Sequence, residues 1–149
     1  MKINITKSEY RLLLDVLSIS DWVMNSHKIG KNPKSEPYKE LEQKFMSFAK
    51  DFGCEKLVMY DERYESFFPT AEYENQDTDR PFIEEFEEEV FWEELCNRLG
   101  QRDLLKEKGI QKVKEMDPIE RMTAEDKIAE KYNKEFIENG IKNLIISGK

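Results

Sequence analysis

The sequence is short of histidine, cysteine and long apolar runs, and each shortage excludes a class of protein. Its single histidine, His27, excludes within one chain any zinc site built from two or three imidazoles. The two cysteines, Cys54 and Cys96, have no metal-ligand spacing, and so few cysteines favour a reducing, cytoplasmic setting. The longest apolar run is Leu57–Tyr60, far below the roughly 20 residues of a membrane span. The six glycines do not cluster, which excludes a glycine-rich phosphate loop.

Charge and aromatic content together indicate a small, folded, acidic protein. The 149 residues carry a net charge of −8, and charged and hydrophobic residues each make up 38% of them. That balance alone is typical of disorder, but aromatic residues reach 11%, and disordered chains are poor in aromatics. The length predicts one domain over residues 1–149. The negative charge repels phosphate backbones, so we expect neither a nucleic-acid partner nor, given the short apolar runs, a membrane partner.

Helix signals predict a mainly α protein, a single compact domain of four to five helices. Thr6 and Glu9 form a capping box that starts a first helix, and this helix runs to about Asn25. Two adjacent apolar stripes along it predict a place at the centre of the core. The stripes consist of Leu13, Leu14 and Leu17, and of Leu12, Val16, Ile19 and Val23.

A second helix is predicted to begin after Ser35 as its N-cap, with Pro37 in its first turn. Gly53 stands where a helix end favours a left-handed residue. Spacings of three and four residues predict the buried face of this helix, formed by Tyr38, Leu41, Phe45, Phe48 and Phe52.

The middle of the chain is less regular. A helical face fits Leu57, Tyr60, Tyr64 and Phe67, and Phe68-Pro69-Thr70 ends it because the residue before proline avoids helical geometry. Residues 71–80 are polar and predict a loop. A third helix is predicted over 81–99, with a start as late as 88 and a possible continuation through 108.

The C-terminal part has a clear helix start and a β-rich tail. Asp117-Pro118 followed by Glu120 predicts a last helix, which ends at Asn139-Gly140. We expect the tail Ile141–Ile146 to pair with a short N-terminal strand, Lys2–Ile5, in a two-stranded ribbon that joins the termini.

Three segments resemble those of a group of small acidic bacterial proteins of unknown function. They are Trp22-Val23-Met24-Asn25-Ser26-His27, Phe68-Pro69-Thr70 and Phe91-Trp92-Glu93-Glu94-Leu95. The resemblance runs over most of the chain and implies a bacterial, cytoplasmic protein. It implies no activity, cofactor or catalytic residue.

The first candidate site lies at the end of the first helix. Asp21 falls on the Tyr10-Leu14-Leu17 stripe, where an apolar residue is expected, and Asn25 is its neighbour four residues on. With His27, which titrates near neutral pH, they could form a polar binding site. The competing interpretation is structural, with Asp21 and Asn25 satisfying loop groups and His27 stabilising the helix end. Trp22 is either a core residue, the favoured interpretation, or an exposed interface anchor.

The second candidate is a run of glutamates over residues 84–94. Glu85, Glu88 and Glu89 would share one helix face, and carboxylates so placed can hold Mg²⁺ or Mn²⁺. Helical nucleotide pyrophosphohydrolases use such carboxylates, but the downstream Glu-x-x-Asp they need has the wrong order here, since Glu74–Asp77 comes first. A solvated acidic helix face is the simpler interpretation.

The sequence therefore favours a binding protein over an enzyme. We expect a cytoplasmic interaction or accessory protein without a cofactor, whose surface combines Trp22, Asn25 and His27 with the acidic residues 84–94. Its acidity would attract a basic protein partner, and self-association is the alternative if Trp22 is uncovered. The second functional hypothesis is a metal-dependent hydrolase that uses Glu85, Glu88 and Glu89, with Asp21 or His27 as a further candidate.

Overall fold

The chain is mainly helical with one small sheet, as a computed structural model that describes residues 3–145 shows. The predicted fold class is confirmed, although these residues form six helices, two of them short, where four to five were expected. Contacts group the chain into two compact units that divide between Glu84 and Glu85. The elements are α1 Lys7–Asn25, α2 Glu36–Met46, β1 Val58–Asp61, β2 Ser66–Pro69, α3 Ala71–Glu74, α4 Arg80–Lys108, α5 Ile110–Glu115 and α6 Pro118–Asn139.

Helix α1 begins and ends where the sequence predicts. The Thr6 amide donates to Glu9 Oε2 at 2.7 Å, and the Glu9 amide donates to Thr6 Oγ1 at 3.3 Å, so the capping box is confirmed. Tyr10 and Leu14 are fully buried, and the Tyr10 hydroxyl donates to the Phe45 carbonyl oxygen at 2.7 Å. This face of α1 is the centre of the core in the N-terminal unit, residues 3–84.

The second apolar stripe of α1 was predicted to be core, and that prediction is wrong. Leu12, Val16 and Val23 are 63%, 56% and 55% exposed. Within the N-terminal unit, the buried residues that cluster with Tyr10 and Leu14 come from α2, the turns after it, the hairpin and α3. One helix face is therefore enough for this small core.

A β-hairpin replaces the helix predicted over residues 57–67. β1 and β2 pair antiparallel, with Val58 opposite Pro69 and Tyr60 opposite Phe67. The rings of Tyr60 and Phe67 lie 4.9 Å apart, so residues that share a helical spacing are cross-strand neighbours here. The tight turn accounts for the change, because Glu65 adopts a left-handed φ of 49° that a helix does not contain.

Helix α2 starts at Glu36 after Ser35, as predicted, but ends at Met46, and turns follow up to residue 53. Gly53 has the expected left-handed conformation, with φ 64°. The predicted buried stripe is wrong at three of its five positions, since Tyr38, Leu41 and Phe48 are 57%, 47% and 38% exposed, while Phe45 and Phe52 are half-buried. The buried positions are one residue further round the helix, because Met46 and the following Ala49 face the core.

A polar network fastens the segment after the hairpin to α1. The predicted loop over residues 71–80 contains the short helix α3, which Thr70 caps. The buried Asp15 carboxylate accepts from Arg11, from the Tyr73 hydroxyl at 2.9 Å and from Thr78 Oγ1 at 3.0 Å. The Arg11 guanidinium lies over the Tyr73 ring. Burial of Tyr73 and its hydrogen bond to Asp15 raise the pKa of the Tyr73 hydroxyl.

The C-terminal unit is built from most of α4, with α5 and α6. Helix α4 continues through Gly100 to Lys108, the longer of the two expected extents. Gly100 allows close packing, because a Cβ there would lie 3.0 Å from the Glu125 carbonyl oxygen. Helix α6 starts at Asp117-Pro118 and ends before Gly140, as predicted. The core cluster of this unit consists of the buried residues Cys96, Ala129 and Phe136, and the partly buried side chains packed against them are Trp92, Leu95, Leu99 and Tyr132.

The predicted ribbon between the termini is not formed by the described residues. Residues 3–5 and 141–145 contain no strand, while Lys2 and Ile146 lie outside the described range. Ile3 and Ile145 are 76% and 85% exposed. A two-stranded pair is marginal unless it covers an apolar surface; Ile5 packs against the core of the N-terminal unit, whereas residues 141–145 are all exposed.

Candidate functional site

A cavity of about 190 Å³ lies in the N-terminal unit between α1, α2, α3 and the hairpin. Most small-molecule pockets measure roughly 300–1,000 Å³, so this cavity suits one long side chain or a small amine. Its floor is apolar and is formed by Leu14, Met46, Leu57, Val58, Phe67 and Phe68.

One wall of the cavity is acidic. Asp21 of α1 and Glu42 of α2 line it, with Lys39 as the cation on the same wall. We call this space the carboxylate cavity. Two carboxylates against one ammonium leave an excess of negative charge beside an apolar floor, where solvent screening is weaker than in water.

Glu42 is the most perturbed acid of this wall. Burial above all, together with the negative charge of Asp21, raises its pKa from the usual 4.5 to about 7, against the opposing effect of Lys39. Within the described residues, no hydrogen bond or ion pair reaches the Glu42 carboxylate. A carboxyl group in this state takes up either a proton or a cation near neutral pH.

The side-chain amide of the next residue, Gln43, already makes hydrogen bonds through both its nitrogen and its oxygen. Its Nε2 donates to the Phe67 carbonyl oxygen at 2.9 Å, and its Oε1 accepts from the Phe67 amide at 2.6 Å. Gln43 therefore pairs with β2 as another strand would, and fixes α2 against the hairpin. The wall that carries Glu42 is held in place by this contact.

A second cavity, of about 140 Å³, is lined in part by the same acidic wall. It shares Asp21, Lys39 and Glu42 with the carboxylate cavity. Its remaining lining is mostly apolar and comes from α1 and α2, through Leu17, Ser20, Met24, Tyr38 and Leu41. We call it the Tyr38 cavity.

The predicted site at the end of α1 is only partly assembled. Asn25 Nδ2 donates to Asp21 Oδ1 at 2.7 Å, and Asn25 Oδ1 accepts from Ser35 Oγ at 2.6 Å and from Asn32 Nδ2 at 3.3 Å. These bonds tie the following loop to the helix, so Asn25 has a structural role. His27 is exposed and lines neither cavity.

Trp22 is half-buried, which is closer to the predicted core position than to an open anchor. The Arg80 guanidinium lies over its ring, 5.1 Å from the centroid. Of the predicted binding residues, only Asp21 lines the two cavities.

The glutamates within residues 84–94 of α4 are exposed, and Glu84, Glu88 and Glu94 pair with residues four positions away on the same helix. Glu88 Oε1 accepts from Trp92 Nε1 at 2.6 Å, and Glu94 pairs with Arg98 at 2.9 Å. In residues 3–145, no three His, Cys, Asp or Glu side chains are placed to hold a metal ion. The Mg²⁺ or Mn²⁺ site at Glu85, Glu88 and Glu89 stays a prediction.

The sequence reasoning missed Glu42 and Lys39. The available signal was the spacing of Glu42, Met46 and Ala49, which places the acid on the stripe that is buried. The same signal singled out Asp21 on α1. On α2 the same signal was missed, because the neighbouring aromatic stripe predicted a different buried face.

Comparisons with protein-family models, curated proteins and solved structures find no match to this chain. The resemblance to small acidic bacterial proteins therefore stays a prediction. No helix within residues 3–145 combines the length and apolarity that crossing a membrane requires.

Proposed function

We propose that this chain is a cytoplasmic, non-catalytic binding protein that recognises a basic partner protein by receiving a lysine side chain in the carboxylate cavity. One observation carries the proposal: Asp21 and Glu42 line a side-chain-sized cavity with an apolar floor, and Lys39 balances only one of their charges. The two cysteines are buried free thiols, which supports a reducing compartment.

Lysine matches the chemistry of this cavity at both ends. Its four-carbon stem can lie along the floor at Leu14, Met46 and Phe68, while its ammonium donates to the carboxylates. Because no residue within 3–145 hydrogen-bonds the Glu42 carboxylate, the ammonium would supply it with a donor. The net charge of −8 adds a long-range attraction for a basic partner.

The test is a titration with N-acetyl-lysine-N-methylamide, followed by amide chemical shifts at physiological salt. The neutral comparison ligand is N-acetyl-norleucine-N-methylamide, which has a similar stem but no charge. We expect the lysine amide to bind about fivefold more tightly, the effect of one partly buried ion pair. Shifts should centre on Leu14, Asp21 and Glu42.

Two variants and a control separate recognition from general acidity. Glu42→Gln should remove the preference for lysine, whereas Lys39→Gln should strengthen it because the cavity becomes more negative. Glu40→Gln removes an equal charge from an exposed position of the same helix and should change little. Equal binding of both ligands, or an equal effect of Glu40→Gln, would contradict the proposed function.

A further inference from the structure

Two cavities that share one charged wall form a larger unit than a lysine side chain can fill. Asp21, Lys39 and Glu42 line both the carboxylate cavity and the Tyr38 cavity. A ligand whose ammonium reaches this wall in the carboxylate cavity therefore leaves a second cavity on the same wall unfilled. The chemistry of that second cavity indicates what else the partner carries.

The Tyr38 cavity presents apolar side chains that remain open to solvent. Tyr38 and Leu41 at its edge are 57% and 47% exposed, and Leu17 and Met24 are half-buried. These side chains would be covered by an apolar group of about their own size. At about 140 Å³ the cavity is smaller than its neighbour and suits a single side chain.

We infer that the bound element of the partner is a segment in which an apolar side chain accompanies the lysine, with the lysine in the carboxylate cavity and the apolar side chain in the Tyr38 cavity. This inference rests on the proposed function and adds the pattern that the partner must present. Asp21, Lys39 and Glu42 line both of the cavities that receive these two side chains.

Charge distinguishes a basic partner from a second copy of this chain. Each copy carries a net charge of −8, so self-association would bring like charges together around an already negative wall. A basic segment is complementary to that wall. The apolar rim alone would accept either, and the acidic wall decides between them.

The experiment uses a set of short peptides on an alanine and glycine background. Each peptide has one lysine and one leucine, with the leucine one to four residues before or after the lysine. Matched peptides lack the leucine or replace the lysine by norleucine. Binding to the full chain is measured by fluorescence anisotropy at physiological salt, where weak nonspecific attraction is screened.

We expect at least one spacing to bind about tenfold more tightly than the peptide without leucine. Leu41→Ser should abolish that gain and leave the affinity for the lysine-only peptide unchanged. Leu12→Ser, at an exposed apolar position of α1 that lines neither cavity, is the control and should preserve the gain.

The outcomes separate this inference from the proposed function. If the lysine-only peptide binds through Glu42 and no leucine position adds affinity, the two-cavity inference is overturned while the proposed function stands. If the norleucine peptides bind as tightly as the lysine peptides, both the proposed function and the basic character of the partner are overturned. If Leu12→Ser removes the gain as Leu41→Ser does, the leucine does not enter the Tyr38 cavity.

Discussion

Replacing Glu42 with glutamine should stabilise the N-terminal unit at pH 8 and leave its stability nearly unchanged at pH 4. The side chain keeps its shape, and only the ionisation is removed. Because the folded protein raises the pKa of Glu42 to about 7 from 4.5, folding favours the protonated form. The stability that this group contributes is complete below pH 4.5 and is lost as the pH rises through 7.

The size of the effect follows from the two pKa values. Each unit of difference corresponds to about 1.4 kcal/mol, which gives an upper limit of about 3 kcal/mol for ionised Glu42. Glu42 is only half-buried and solvent screens part of its charge, so we expect a gain of about 1–2 kcal/mol at pH 8. Most of the change should fall between pH 4.5 and 7.

The assay is urea unfolding at pH 4, 6 and 8, followed by tryptophan fluorescence. The chain has two tryptophans, so a Trp92→Phe background leaves Trp22 as the reporter of the N-terminal unit. Groups remote from Glu42 contribute equally in the parent and the variant, so their contributions cancel in the difference. Glu40→Gln, on the exposed side of α2, should change the free energy of unfolding much less than Glu42→Gln does.

A Glu42→Gln variant that is no more stable than its parent at pH 8 would refute this reasoning. It would mean that the ionised carboxylate is already solvated or paired in the folded protein. The excess negative charge of the carboxylate cavity, on which the lysine recognition depends, would then be absent.

Three further substitutions test the packing that positions the site. Asp15→Asn should lower the free energy of unfolding by about 2 kcal/mol, because Arg11, Tyr73 and Thr78 lose a carboxylate acceptor; an unchanged urea midpoint would contradict the network. Gly100→Ala should lower the melting temperature, since overpacking of about 1–3 kcal/mol against Glu125 and Ala129 exceeds the helix-propensity gain of about 1 kcal/mol; a higher melting temperature would refute the close approach. Thr6→Ala should cost about 1 kcal/mol through loss of the N-cap, measured by thermal unfolding, and Ser8→Ala is the comparison that should change less.

Local signals were the most reliable part of the sequence. The capping box at Thr6 and the start at Asp117-Pro118 depend on residues within one helical turn, and both were predicted with the correct position. Gly140 was likewise identified as the end of a helix; Gly53 has the predicted left-handed conformation, but α2 ends earlier, at Met46. Backbone geometry at these points is set by neighbours in the chain.

Features that depend on distant residues were predicted less well. The spacing of Leu57, Tyr60 and Phe67 fits a helix, but pairing between β1 and β2 decides their structure. On α2, the aromatic stripe was predicted to be buried, while packing against α1 and the hairpin buries Met46 instead. Periodicity shows that a helix has an apolar side, and tertiary contacts select which stripe is covered.

The candidate site shows the same difference between local signals and features that depend on distant residues. Asp21 was identified because it interrupts an apolar stripe, and it does line both cavities. His27 was included because it follows in the sequence, but beyond the end of α1 its side chain is exposed. Glu42 lies on another helix, and only the packing of α2 against α1 brings it to the same wall as Asp21.

The most direct test of lysine recognition is the titration of the Glu42 side-chain carboxyl by ¹³C NMR, with and without the lysine amide. In the free protein its pKa should be about 7. Saturation with N-acetyl-lysine-N-methylamide should lower that pKa, because an ammonium in the cavity stabilises the ionised form, and the norleucine amide should not lower it. A Glu42 pKa that is the same with and without the lysine amide would contradict the account.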